Sequence, residues 1–246
     1  AELLVAAKKI ATGLKQEGLE PGARIILQFD RNDDYVPFFW GCIVAGVVPI
    51  PLAAPKSDKS DAPELLKLIN VWENFGQPLI GCRHDHLSRY INMPAVSIEK
   101  LSESEPLAET NGVSSDDVAI TLLTSGSTGL PKGVMQTHQA LISRSAGTTI
   151  VNNHNENDTS VNWMPLDHVG GVVMFHLRDV YNGANQVLAP TDYVLSNPLR
   201  WLDLIDKYRA TTTWAPNFAF ALVNDRADEI NSGSWDLSCM RFILNG

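Results

Sequence analysis

Short apolar runs alternate with helical patterns along nearly the whole of this chain. RIILQF at 24–29, PLIGC at 78–82 and DVAITLLT at 117–124 each suit a buried strand. Before the first of them, residues 2–17 space Leu3, Ala7, Ile10, Ala11 and Leu14 along one helical face, which Gly18 ends. A second such face carries Leu65, Leu66, Ile69, Trp72 and Phe75 up to Gly76. VMQTH at 134–138 reads as a strand edge leading into a helix near 139–150, and the polar stretch NNHNENDT at 152–159 breaks the pattern. Beyond it the order is strand 160–164, helix 170–181, strand 186–189, helix 198–208, strand 211–215, helix 217–223 and strand 240–245. Strands alternating with helices make mostly parallel sheets covered by helices. The expected fold is α/β in two stacked lobes, residues 1–155 and 156–246, with the helix of residues 1–20 packing on the second lobe. The chain stops on the strand RFILNG, where doubly wound folds place their ligands, so the second lobe is expected to be incomplete.

VPFFWGCIVAGVVPIPLAAP at 36–55 is uncharged and long enough to raise a membrane span. Pro49, Pro51 and Pro55 would break such a helix, so the run divides into a buried helix at 33–46 and a strand at 47–52. The first residues read as an amphipathic helix rather than a signal peptide. Acidic residues outnumber basic ones 28 to 19, a net charge of −9, with no basic stripe to meet phosphates. That composition excludes a nucleic-acid binder, and no membrane role is expected. The 3 cysteines, Cys42, Cys82 and Cys239, lie too far apart for a disulfide framework and suit a reducing cytoplasm, the expected location. CRHDH at 82–86 reads as surface residues rather than a metal site, because no second cluster completes a tetrahedron. Trp40, Trp72, Trp163, Trp201 and Trp214 fall on apolar faces and read as core.

LLTSGSTGLPKGV at 122–134 follows a strand directly. Gly126, Gly129 and Gly133 allow backbone N–H groups to approach an anion closely. Thr124, Ser125, Ser127 and Thr128 add hydroxyl donors, and Lys132 adds a mobile cation. No Gly-Lys-Ser/Thr ends the loop, so it is not a Walker A motif.

TSGSTGLPKGV resembles the signature loop of the adenylate-forming superfamily of acyl- and aryl-CoA synthetases, fatty-acyl-AMP ligases and nonribosomal peptide synthetase adenylation domains. The likeness extends to GLEPGARIILQFDRN with FFWGCIVAGVVPIPL, to MPLDHVGG, to ATTTWAPNFAFAL and to MRFILNG. It implies the N-terminal part of the adenylate-forming fold, truncated. It also implies that the substrate carboxylate attacks the α-phosphate of ATP, giving acyl-AMP and pyrophosphate, before a thiol takes the acyl group. Thr124, Ser125, Gly126, Ser127, Thr128, Gly129 and Lys132 would hold the phosphates, with Mg²⁺ beside Thr128. The family's Tyr-Gly-x-Thr-Glu segment, its ribose-binding Asp and its late lysine do not occur here. The resemblance therefore implies that these residues alone are inactive and need the C-terminal part of the same domain.

By the same resemblance, His168 stands beside the incoming carboxylate, and His168, Lys132 and Thr128 are the implied catalytic set. Amino-acid-activating domains carry an Asp after that position, to pair with the α-ammonium. Here it is Val169, while Asp167, in an extended segment, would point the opposite way. Gly170, Val173 and Thr213 match pocket-lining positions, and Leu244 and Gly246 do so more loosely. The expected substrate is an α-keto, α-hydroxy, aryl or fatty acid. PIPLAAPKS resembles a stretch of fatty-acyl-AMP ligases and loading domains of polyketide or peptide synthases, which favours a carrier-protein phosphopantetheine over CoA as acceptor. The alternatives are an acyl-CoA synthetase and a non-catalytic module that binds a nucleotide or a carrier domain.

Overall fold

A computed structural model describes residues 1–55, 62–90, 92–110, 112–125 and 131–246. Gly126, Ser127, Thr128 and Gly129 lie outside the described residues, as does the side chain of Ser125. The chain divides into two compact units, Ala1–Ala140 and Leu141–Gly246. That division falls within the helix His138–Asn152, upstream of the polar break at 152–159.

The first unit is built on a four-stranded parallel sheet in the order β2-β1-β3-β4, with β1 Arg24–Leu27, β2 Val48–Pro51, β3 Leu79–Cys82 and β4 Ala95–Ser97. Ile25, Ile26 and Leu27 are buried because both faces of the central strands are covered, which is why RIIL needs no polar alternation. Pro49 and Pro51 are tolerated in β2 because it is an edge strand of this sheet. The uncharged run resolves as expected into a helix, Asn32–Ala45, and this strand. Gly46, at φ 73°, supplies the left-handed residue that stops the helix. Among the described residues, no helix is long and apolar enough to cross a membrane.

Within the first unit the opening helix Glu2–Gln16 packs closely, so that a Cβ on Gly41 would lie 2.4 Å from Ile10 Cγ2. Two local expectations are corrected here. In the helix Pro63–Asn74 the buried residues are Leu68 and Val71, whereas Leu66 is exposed. The sequence spacing fixed the helical period there but not which edge of the stripe meets the sheet. CRHDH leaves the sheet at once and continues as a 3₁₀ helix, His84–Tyr90, so its side chains share no strand face and His86 is buried. No metal-binding cluster exists among the described residues.

The unit also carries an antiparallel hairpin, β5 Val118–Ser125 with β6 Pro131–Thr137. The second unit holds a second four-stranded parallel sheet in the order β10-β9-β7-β8, with β7 Thr159–Asn162, β8 Asn185–Leu188, β9 Thr212–Ala215 and β10 Phe242–Asn245. One face packs Val161, Trp163, Trp201, Ile205, Ala215 and Ala219 into an apolar core. The other face mixes Ser160, Asn162, Gln186 and Thr212 with Leu188, Trp214, Phe242 and Leu244. It lies against a π-helix, Gly170–Leu177, which runs into the α-helix Arg178–Asn182.

Candidate functional site

In the first unit the hairpin pairs Thr124 with Lys132 and Ser125 with Pro131, so the described ends of the glycine loop meet across the ladder. The Thr124 hydroxyl donates to the Lys132 carbonyl at 3.4 Å. Both side chains are exposed, and Lys132 forms no ion pair with a described residue. An unneutralised ammonium at a hairpin tip is suited to meet phosphate oxygens. Gly133 is needed for packing: a Cβ there would lie 2.7 Å from Phe75 Cζ.

In the second unit, β7 ends at Asn162, whose side chain ties the next turn to the helix. Its amide donates to the Gly171 carbonyl at 3.0 Å and its oxygen accepts from Met164 N–H at 3.1 Å. Leu166 and Asp167 form a turn closed by His168 N–H to the Pro165 carbonyl at 3.2 Å. The extended segment expected around His168 is thus a turn, so strand alternation does not fix where Asp167 points. His168 is exposed, and its Nδ1 accepts from Gly170 N–H at 3.2 Å. A neutral imidazole that accepts at Nδ1 carries its proton on Nε2, a donor suited to a carboxylate. Val169 follows at the helix start, 39% exposed.

The π-helix is anchored from beneath by charge. Arg178 and Asp179, both buried, pair through Nε at 2.9 Å and Nη2 at 2.6 Å, and Ser160 donates to the second Asp179 oxygen at 2.5 Å. Arg178 also lies 4.4 Å from the Phe175 ring centre and donates to Thr212 from β9. His154 bridges onward, accepting from Arg178 at 3.5 Å and donating to Asp158 at 3.3 Å. Asp158 accepts from Thr211 at 2.6 Å and from Arg241 at 2.7 Å. Burial pushes the Asp179 carboxyl up against the pull of Arg178. Asp158 ends below the usual carboxylate range: burial, the largest effect, raises it, but the hydrogen bonds from Thr211 and Asn155 and the charge of Arg241 together outweigh that.

Burial is also the largest cause holding His138, His154 and His176 below the usual imidazole range. At these three histidines the folded chain therefore binds fewer protons than the unfolded one. The stability this contributes is complete above the unfolded pKa near ~6.5 and is lost as pH falls through and below it. Asp179 acts in the opposite sense, so a variant comparison isolates the histidines. His176→Gln is expected to shrink the drop in thermal midpoint between about pH 7.5 and about pH 5.5. An equal drop in both proteins would remove His176 from the account.

Gly170, Leu244 and Gly246 gather around Trp214 on the sheet face opposite the apolar core. A Cβ on Gly170 would lie 2.0 Å from Trp214 Cζ3, and one on Gly246 would lie 3.1 Å from Trp214 Nε1. Leu244 is the register partner of Trp214. Thr213 points the other way: its hydroxyl donates to the Val161 carbonyl and accepts from Trp201 Nε1, both at 2.9 Å, inside the core. Val173 is buried, and its carbonyl accepts from Arg144 at 3.4 Å. Trp214 was expected in the core, yet it is partly exposed and stands outside the apolar cluster. Strand alternation between Thr213 and Trp214 was the available signal, but sequence does not say which face is the core.

A family model described as AMP-binding enzyme matches residues 75–246. Aspulvinone E synthetase melA of Aspergillus terreus is 30% identical, over 100% of this chain and 28% of its own length. The adenylation domain of a keto acid-selecting NRPS module, solved bound to keto acyl adenylate, is 38% identical with a TM-score of 0.94, over 99% of this chain and 47% of that one. McyG A-PCP complexed with phenylalanyl-adenylate is 35% identical with a TM-score of 0.95, over 99% of this chain and 40% of that one. The chain thus spans less than half the length of each of these similar proteins.

Proposed function

This chain belongs to the AMP-binding enzyme family of adenylate-forming ligases, and on that premise we propose that it supplies the phosphate loop and acid-selecting segment of a domain that activates a carboxylic acid without an α-ammonium. The acid's carboxylate would attack the α-phosphorus of ATP with loss of pyrophosphate. A carrier-protein phosphopantetheine thiol would then displace AMP from the acyl-adenylate. Lys132 and Thr124 would hold phosphate oxygens, and the Nε2–H of His168 would orient the carboxylate. Mg²⁺ would screen the phosphate charge, with Thr128 its expected neighbour. The observation that carries this reading is Val169, an exposed apolar residue next to His168. A desolvated ammonium there would lack a counter-charge and would bind poorly. The similarity to a keto acid-selecting domain supports the same reading. A second reading, an α-amino acid, draws on Asp167, which the turn leaves beside His168, and on the similarity to McyG.

The test is acid-dependent ATP–pyrophosphate exchange by the native polypeptide that carries these residues. One pool would hold α-keto, hydroxy, aryl and fatty acids, the other amino acids. Exchange is expected with the first pool and should fall roughly a hundredfold or more in Lys132→Ala. Exchange with amino acids alone would establish the second reading. Silence with both pools would leave a binding module. Acyl transfer to CoA but not to a carrier protein would make the protein an acyl-CoA synthetase.

A further inference from the structure

We propose that Trp214 is a specificity-determining residue whose indole N–H donates a hydrogen bond to an oxygen on the α-carbon of the bound acid; this rests on the acid-activating reading above. The benzo edge of the ring covers Gly170 and its nitrogen edge turns to Gly246. Glycine at both positions is what lets so large a ring lie there, since a Cβ on either would crowd it. Among the other tryptophans, Trp72 donates to the Pro78 carbonyl at 3.0 Å, Trp201 to Thr213 at 2.9 Å and Trp235 to Asp203 at 2.7 Å. The Trp163 N–H is unpaired but sealed in the core. The Trp214 N–H has no partner among the described residues, and its ring is partly exposed on the sheet face that carries the helix start.

An indole N–H donates and cannot accept. It therefore matches a 2-oxo or 2-hydroxy oxygen, meets an α-ammonium donor to donor, and stays desolvated against a plain methylene. Such a site discriminates against the analogue that lacks the acceptor, because its own polar group is then left unpaired. This extends the meaning of Val169: one residue withholds the partner an ammonium needs, and the other offers the partner an oxygen needs.

The experiment compares kcat/KM in pyrophosphate exchange for a 2-oxo acid and the same acid with a methylene at that carbon, using the native full-length protein and Trp214→Phe. The parent is expected to favour the oxo acid by at least about tenfold, equivalent to about 1.4 kcal/mol. In Trp214→Phe, which keeps a flat ring, the ratio should approach one. A ratio is insensitive to the fraction of enzyme folded, so partial misfolding does not mimic the effect. Trp214→His, which keeps a ring N–H, should retain part of the preference. An unchanged ratio in Trp214→Phe, with exchange intact, overturns the role of Trp214 and leaves the acid-activating reading standing. Failure of both acids in the parent overturns that reading, and the role of Trp214 with it.

Discussion

Arg178→Ala is expected to cost about 3–5 kcal/mol of folding stability, read as a lowered urea midpoint. The guanidinium and the Asp179 carboxylate are both buried beneath the sheet, so removing the cation strands a carboxylate in a low-dielectric interior. Ser160 alone would remain to hydrogen-bond it, and the ring of Phe175 would lose its cation. Replacing both charges with apolar residues, as in Arg178→Met with Asp179→Leu, should recover most of the loss, because the desolvation cost vanishes with the pair. A single variant within about 1 kcal/mol of the parent would mean that water reaches this face and that the pair is not truly buried.

Gly171→Ala is expected to reduce pyrophosphate exchange about a hundredfold, together with a stability loss of about 1–3 kcal/mol. A Cβ there would lie 2.2 Å from the Pro165 carbonyl oxygen and 2.8 Å from that of Met164. Both obstacles are backbone, so relief requires moving the turn that presents His168. Asn162 would be strained as well, since it bonds both the Gly171 carbonyl and the Met164 N–H. Gly147→Ala makes a suitable control: nothing lies within 4 Å of the added carbon, and it sits inside the helix His138–Asn152, where alanine is favoured. Parental stability and activity in Gly171→Ala would show that the turn yields freely.

Much of this architecture is legible in the sequence because strands buried on both faces announce themselves. RIIL, LIGC and VAITLL have no polar alternation to confuse them with surface strands, and Gly18, Gly46 and Gly76 punctuate the helices. What the sequence hides is orientation. Leu66 has the spacing of a core residue and is exposed, whereas Leu68 is buried. Thr213 and Trp214 are neighbours on one strand, and apolar content alone favours Trp214 for the core. Yet Trp201, 12 residues earlier, takes the core position and its N–H claims the Thr213 hydroxyl. The π-helix is equally silent, because GGVVMFHL reads as an ordinary apolar helix until the Gly171 carbonyl is tied to Asn162. Lys132 stands out in the sequence through the glycine- and hydroxyl-rich loop around it, whereas His168 is singled out only by the resemblance of MPLDHVGG to a family segment.

The Asp158–Arg241 ion pair joins residues 83 positions apart, and the Asp158–Thr211 bond spans 53. Loops of that length must close before those bonds contribute, so these two contacts form late relative to the local helices around them. β9 is made before β10, so during synthesis its outer ladder edge waits unpaired while the intervening helices form. Until Arg241 reaches Asp158, that edge is open to strands of other nascent chains, and the interval sets how readily the unit aggregates before it matures.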